Sequence, residues 1–331
     1  MAHLFDPLQV RHCTLRNRVV MPPIALEQAT ARGEVAERHV KHYTAIAADG
    51  PGLVIVEHTY IRRDGRVSDK QLGIYDEPLI PGLARVAESI KSNGAVACLQ
   101  ITHCGARTTR ALIGTQPLGP WTIPVPGDPE SPRPLRVEEL RQLEADYAAA
   151  ARRARAAGFD AVEIHGAHGY LLNQFVSPVT NRRTDEYGGS VENRLRFPRQ
   201  VIAAVKRAVG DEMLVLYRFG ADDMTPGGLT ADDAEVIAPM LADAGVDILD
   251  VSGGLGGSGR DRFSEQGYFV LLAARVRRAA GIPAIGVGNV REPEYADRVI
   301  RDGLVDLIAV GRAQIADPNW AAKARQALAG A

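Results

Sequence analysis

Residues 161–197 read AVEIHGAHGYLLNQFVSPVTNRRTDEYGGSVENRLRF, and the order of residue types in this stretch decides the fold. Ala161 to Ile164 is a short apolar run of the kind a buried parallel strand shows. It releases His165, His168 and Tyr170 in close succession, then a loop rich in Pro, Arg, Asp and Gly. A helical pattern resumes from Val191. Strand, polar tip, loop, helix is the order in which α/β proteins set out reactive groups.

The same unit recurs on both sides. Strands are predicted at Arg18 to Met21, Leu53 to Glu57, Ala95 to Ile101, Ala161 to His165, Leu214 to Phe219, Val246 to Ser252, Pro283 to Val287 and Asp306 to Val310. Pro22-Pro23 ends the first, since neither residue can donate to a ladder. Helices are predicted at Glu34 to Ala48 (ended by Asp49-Gly50), Glu77 to Ser92, Val137 to Ala157 and Glu192 to Val209. Others follow at Ala231 to Ala244 after the cap Thr230, at Phe269 to Ala280, at Glu292 to Asp302, and from about Asn319 onward. Met1 to Arg18 alternates weakly and reads as a small hairpin ahead of the main fold. Eight strand–helix units with no break in composition predict a (β/α)8 TIM barrel occupying 1–331 as one domain. A doubly wound sheet is the competitor; it would need a topological switch point and usually fewer units.

Composition narrows the class. The 331 residues are 46% hydrophobic, with Lys plus Arg at 39 against Asp plus Glu at 40, a formal charge of -1. No basic excess points to nucleic acid or an anionic membrane. Cys13, Cys98 and Cys104 are odd in number and lack CxxC spacing, against a disulfide framework or a thiolate metal site. No apolar run approaches the ~18 residues of a membrane span, and MAHLFDPLQV does not resemble a signal peptide. A soluble, reduced, cytoplasmic protein is expected; a homo-oligomer is allowed.

In a TIM barrel the active site lies at the C-terminal ends of the strands. Those ends supply Pro22, Pro23, Ile24 and Ala25, then Glu57 and His58, Gln100 and His103. They continue with His165, His168 and Tyr170, then Arg218, Ser252, Gly286, Gly288 and Asn289, and finally Gly311 and Arg312. GVGN and VGR, after strands seven and eight, carry glycines that let backbone N–H groups approach an anion beside a guanidinium. The bland alternative is that these glycines only shape tight turns. His165, His168 and Tyr170 suit donation to a carbonyl or oxyanion and proton transfer. A zinc pair is the alternative, if Glu57, His58 or His103 supplies a further ligand for a metal-dependent hydrolase or lyase. Two loops are expected to cover the mouth: the Gly- and Pro-crowded Gly105 to Pro134 with Trp121 at its middle, and SGGLGGSG at 252–259, read as mobile.

The central stretch resembles the signature of the Old Yellow Enzyme family of flavin-dependent ene-reductases. LFDPLQVRHCTLRNRVVMPPI at 4–24, YRFGAD at 217–222, TPGGLT at 225–230 and VGRAQIADPNW at 310–320 are similar to it as well. The resemblance implies a barrel holding tightly bound, non-covalent FMN. Pro22, Pro23, Ile24, Ala25 and His58 would lie beside the isoalloxazine, Gln100 on its pyrimidine edge and Arg218 near N1 and O2. Gly288, Asn289, Gly311 and Arg312 would hold the phosphate. His165 and His168 would bind the carbonyl or nitro group of an electron-poor alkene. The implied reaction spends NADH or NADPH to reduce the activated C=C bond, with hydride from flavin N5 and the proton from Tyr170.

Three residues depart from the family pattern: Ala25 in place of Thr or Cys, Glu27 where some relatives carry an aromatic residue over the substrate, and His58 where a small residue is expected. HCGART at 103–108 is closer to the dienoyl-CoA reductase and trimethylamine dehydrogenase branch, so an amine or other donor dehydrogenase is the alternative function. That branch has a cysteine cluster and further domains; the sequence shows neither, and no second cofactor is expected.

Overall fold

The computed structural model describes residues 2–48 and 50–330. Eight parallel strands close into a barrel in strict chain order: β1 (Val19–Met21), β2 (Leu53–Tyr60), β3 (Val96–Thr102), β4 (Ala161–Gly166), β5 (Leu214–Asp222), β6 (Ile248–Gly253), β7 (Ala284–Gly286) and β8 (Leu307–Ala309). Helices fill the connections and cover the outside, so the fold is the (β/α)8 TIM barrel expected from the strand–helix alternation.

The strands look like continuous apolar runs because both faces are buried. Outward residues such as Val54, Val56, Leu99, Val162, Ile164, Tyr217 and Val251 pack under the helices. Inward residues separate into layers. Val20, Leu53, Ile55, Cys98, Ala161, Leu214, Leu216, Ile248, Ile285 and Leu307 form an aliphatic interior. The hairpin of Leu8–Val10 and Cys13–Leu15 closes its lower end, with Val10 and Leu15 joining that cluster. Moving up by two residues on the consecutive strands β3 to β6 replaces aliphatics by Gln100, Glu163, Arg218 and Asp250, all buried. The next step up meets His165 and Ser252. Polarity thus rises from the plugged end of the barrel to its mouth.

Several predicted boundaries move. The first helix, Glu37–Ala47, begins three residues later than Glu34 because 30–34 is held as a turn. There the Thr30 hydroxyl donates to the Glu34 carboxylate at 2.8 Å and the Thr30 amide donates to the Glu34 carbonyl. The predicted terminator Asp49 lies outside the described residues. Residues 77–92 split into a 3-10 turn, Glu77–Leu79, and a helix, Ile80–Lys91, where Pro78 and Pro81 lack the N–H a continuous α-helix needs. Strand β2 runs three residues past Glu57, through an irregularity between Val56 and Thr59. Among the short helices not read from the sequence are Leu171–Val176 and Arg312–Ala316. Both follow immediately on site residues, Tyr170 and Gly311, and both are shorter than the two turns a periodic pattern needs to declare itself.

Candidate active site

One cavity of about 730 Å³ opens at the C-terminal end of the barrel. Pro22, Pro23, Ile24, Ala25, His58, Gln100, His165, His168, Tyr170, Arg218, Asn289, Gly311 and Arg312 all line it. Of the sequence-predicted site residues only Gly288 is set back, one residue behind Asn289. Ser252 lines the cavity as well, while Glu57, His103 and Gly286 go elsewhere. The Glu57 carboxylate turns away to accept the Leu26 amide at 2.8 Å and faces His39 Nε2 at 3.3 Å, which anchors the 22–25 segment from behind. His103 is buried against Asp64 at 3.4 Å. Neither joins the histidines of β4, and although His58 does line the cavity, no three His, Cys, Asp or Glu side chains among the described residues are grouped to hold a metal ion, so the zinc alternative lacks the ligand set it required. Glu27 also misses the cavity: its carboxylate accepts the Ser68 hydroxyl at the rim.

The wall formed by the β4 tip is fixed in detail. The Ala167 amide donates to His165 Nδ1 at 3.2 Å. Burial, with His168 and Arg218 nearby, pushes the His165 imidazole well below its ordinary value. A neutral ring whose Nδ1 accepts must carry its proton on Nε2, so His165 is a donor from Nε2. His168 is likewise held neutral by burial and Arg218, and its Nε2 lies 2.8 Å from Ser252 Oγ. It sits in the left-handed region, φ 57°, with Gly169 after it at φ 73°. That uncommon backbone turns both imidazoles and Tyr170 toward one space. The turn is clamped from several sides. Arg107 donates to the His168 carbonyl at 2.7 Å, Gln174 Nε2 to the Gly169 carbonyl at 2.7 Å, and the Gly169 amide to Asn173 Oδ1 at 2.8 Å. Tyr170 packs edge-on to His165, with ring centroids 4.6 Å apart, and parallel to His58 at 5.8 Å. Burial pushes its phenol well above the ordinary tyrosine value. Gln71 Nε2, 3.2 Å from His58 Nδ1 and 3.1 Å from its carbonyl, steadies that ring.

The opposite kind of construction occurs after β7 and β8. Gly288 has φ 127°, and a Cβ there would come within 2.7 Å of the Tyr268 amide nitrogen. A Cβ on Gly311 would meet Ile24 Cδ1 at 2.9 Å and Pro22 Cγ at 3.1 Å. Asn289 Oδ1 accepts from Arg312 at 2.9 Å, which aims the guanidinium along the cavity wall. Gly286, by contrast, faces Val305 and Val270 and serves packing alone.

The two predicted cover loops meet over the mouth. Ala106 and Val125 from the long loop pack on Leu255 from the glycine-rich one. Asp223 pins the latter, accepting the Leu255 amide at 2.9 Å while also accepting that of Leu229 at 2.9 Å. Ser258, Arg260, Tyr268 and Arg291 bring the cover into the cavity wall, and the sequence reading had missed all four. They lie in irregular segments, where no periodicity marks which side faces in.

The sequence profile of the NADH:flavin oxidoreductase / NADH oxidase family matches residues 3–330, nearly the whole chain. The chain belongs to that family. It is 41% identical to an NADH oxidase of Thermoanaerobacter brockii over 98% of its own length, but spans only 51% of that protein. It is 36% identical to an NADPH dehydrogenase of Clostridium acetobutylicum, covering 96% of this chain and 93% of the relative. The solved Old Yellow Enzyme homologue from Zymomonas mobilis superposes with a TM-score of 0.85 at 27% identity, over 100% of this chain and 93% of that one. Membership carries the enzyme class and the cofactor: an NAD(P)H-dependent flavin oxidoreductase that uses FMN.

The cavity suits that cofactor by its own chemistry. It joins an anion corner of backbone, Asn289 and Arg312 to an apolar stretch, Pro22 to Ala25, and to the amide of Gln100 and the guanidinium of Arg218. Arg218 Nε is buried without a hydrogen-bond partner among the described residues, an unmet donor beside a space shaped for a planar acceptor. Among the described residues no helix is long and apolar enough to cross a membrane.

Proposed function

We propose that this flavin oxidoreductase reduces the activated C=C bond of α,β-unsaturated carbonyl or nitro compounds at the expense of NAD(P)H. The reading rests on one observation: a neutral His165 with its donor at Nε2, His168 and a protonated Tyr170 share one wall of the cavity that Gln100 and Arg218 also line. Pro22, Pro23, Ile24, Ala25 and His58 form the side against the isoalloxazine, Gln100 and Arg218 its polar edge. Gly288, Asn289, Gly311 and Arg312 hold the phosphate.

FMN, when bound, supplies hydride transfer from the nicotinamide to the alkene. The protein supplies the rest. His165 donates from Nε2 to the substrate's carbonyl or nitro oxygen and His168 steadies it, which draws electron density from the β-carbon. Both rings do this without charge, because burial keeps them neutral at pH 7. Tyr170 gives its phenolic proton to the α-carbon. Its raised pKa keeps that proton in place until it is needed, and the Arg107 guanidinium opposes the shift, favouring the phenolate left behind.

The decisive experiment separates the two half-reactions under anaerobic stopped flow. Tyr170→Phe should slow reoxidation by cyclohexenone by about 10²- to 10⁴-fold, the usual worth of a general acid, while reduction by NAD(P)H stays near wild type. Equal losses in both half-reactions would remove Tyr170 from the proton-donor role.

A further inference from the structure

At the floor of the cavity, four polar side chains, of which Gln100 and Arg218 line it, occupy a layer of the barrel interior where the strands below carry aliphatics. They are paired by strand register: Gln100 on β3 opposite Glu163 on β4, and Arg218 on β5 opposite Asp250 on β6. Gln100 Nε2 donates to Glu163 Oε1 at 2.7 Å, and Arg218 donates to Asp250 Oδ2 at 2.6 Å. The two other oxygens, Glu163 Oε2 and Asp250 Oδ1, are buried and accept from no donor among the described residues. The two carboxyl groups nevertheless stand within hydrogen-bond reach of each other.

Two ionised carboxylates here would leave one negative charge uncompensated in a buried layer, because among the described residues Arg218 is the one cation hydrogen-bonded to either. Such a charge is far costlier than a proton. A proton between Glu163 Oε2 and Asp250 Oδ1 removes it, and satisfies both orphaned oxygens at once. We propose that Glu163 and Asp250 share a single proton, and that this neutral-plus-anion pair acts as a positioning device that orients Gln100 and offsets the charge of Arg218 at the flavin edge.

Burial and the neighbouring Asp250 push the Glu163 carboxyl well above the ordinary range, so the proton resides mainly there; Asp250 stays the partner of Arg218. The titration belongs to the pair rather than to either residue. Below them, the Cys98 thiol is pushed up by burial and by both carboxyls, so it adds no charge to the layer. The geometric consequence is specific. With Glu163 Oε1 accepting from below, Gln100 is locked with its Nε2 downward, leaving its Oε1 and second N–H for the cavity. With Asp250 against Arg218, the cavity meets an ion pair rather than a bare guanidinium. A reduced, anionic flavin is therefore favoured less than Arg218 alone would favour it.

The inference about the flavin edge rests on the FMN reading; the shared proton does not. Infrared difference spectra of the apoprotein and of the FMN-loaded protein at pH 7 should show the C=O band of a buried protonated carboxylic acid, lost in Glu163→Gln. Absence of that band in wild type overturns the proposal. Its presence in a protein that binds no FMN would support the pair and refute the flavin assignment instead. Because Gln can accept from Gln100 and donate to Asp250 as protonated Glu does, Glu163→Gln should leave the FMN dissociation constant within about threefold of wild type and the midpoint potential unmoved. A clear upward shift of potential in Glu163→Gln would mean that an ionised Glu163 had been removed, and would also overturn the proposal. Asp250→Asn should raise the potential, by unmasking Arg218, and lower the Tm; if it fails to fold, the infrared band and Glu163→Gln carry the test.

Discussion

The wall after β4 and the corner after β7 and β8 line the same cavity but are built on different principles. The wall is made of side chains whose protonation and direction are set by burial, by clamps from the helix that follows (Asn173 and Gln174) and by clamps from distant segments (Arg107 and Ser252). The corner is made of backbone, with Gly288 and Gly311 leaving room that a Cβ would fill and Asn289 aiming Arg312. The difference teaches that binding an anion needs little more than space and exposed donors. Polarising an oxygen and giving up a proton need groups held in one charge state.

That contrast can be broken by exchanging effects between the two regions. The largest is the loss of alkene reduction in Tyr170→Phe. Next, Arg312→Gln should weaken FMN binding by about 10- to 100-fold, corresponding to a charge-assisted hydrogen bond of ~1.5–3 kcal/mol. Once FMN is saturating, alkene reduction should recover; a defect that persisted would show that the corner also serves the chemistry. His165→Ala should do the reverse, weakening phenolic ligands that mimic the enolate oxygen by about tenfold with FMN affinity unchanged, as read by ligand titration of the flavin absorbance. Unchanged phenol affinity would remove His165 from the oxygen-binding role.

The smallest effect is on stability. His58, His165 and His168 all have folded-state pKa values depressed by burial, so the unfolded chain binds more protons once the pH drops below about 6.5, the ordinary histidine value. Stability is therefore full above that pH and is lost as the pH falls through it. The Tm should decline between pH 7 and 5.5, and His165→Gln should flatten that decline. An identical slope in the variant would show that His165 is not one of the groups responsible.

Much of the fold was legible because a parallel barrel writes itself as eight apolar runs, each stopped by a polar or glycine tip. Every predicted strand is present, and all eight tips reach the cavity; the β2 tip does so through His58, its Glu57 turning away. What was not legible falls into two kinds. Ser258, Arg260, Tyr268 and Arg291 reach the cavity from irregular loops. Glu163 and Asp250 carried a usable signal, a carboxyl in the middle of an otherwise buried strand (AVEIHG and ILDVSG), but only the closed barrel interior brings the two side chains within reach of each other.

The sequence by itself determined the order of strands and helices, the closed barrel, and which end of each strand bears the chemistry, because periodicity and punctuation are local properties of the chain. Tertiary structure alone decided that Glu57, Glu27 and His103 turn away, that His165 donates from Nε2, and that two carboxyls meet beneath the cavity. These outcomes depend on burial and on neighbours that the fold brings together, such as Gln100 and Glu163, which are 63 residues apart, and desolvation and hydrogen bonding act on the space around a residue rather than on its place in the chain.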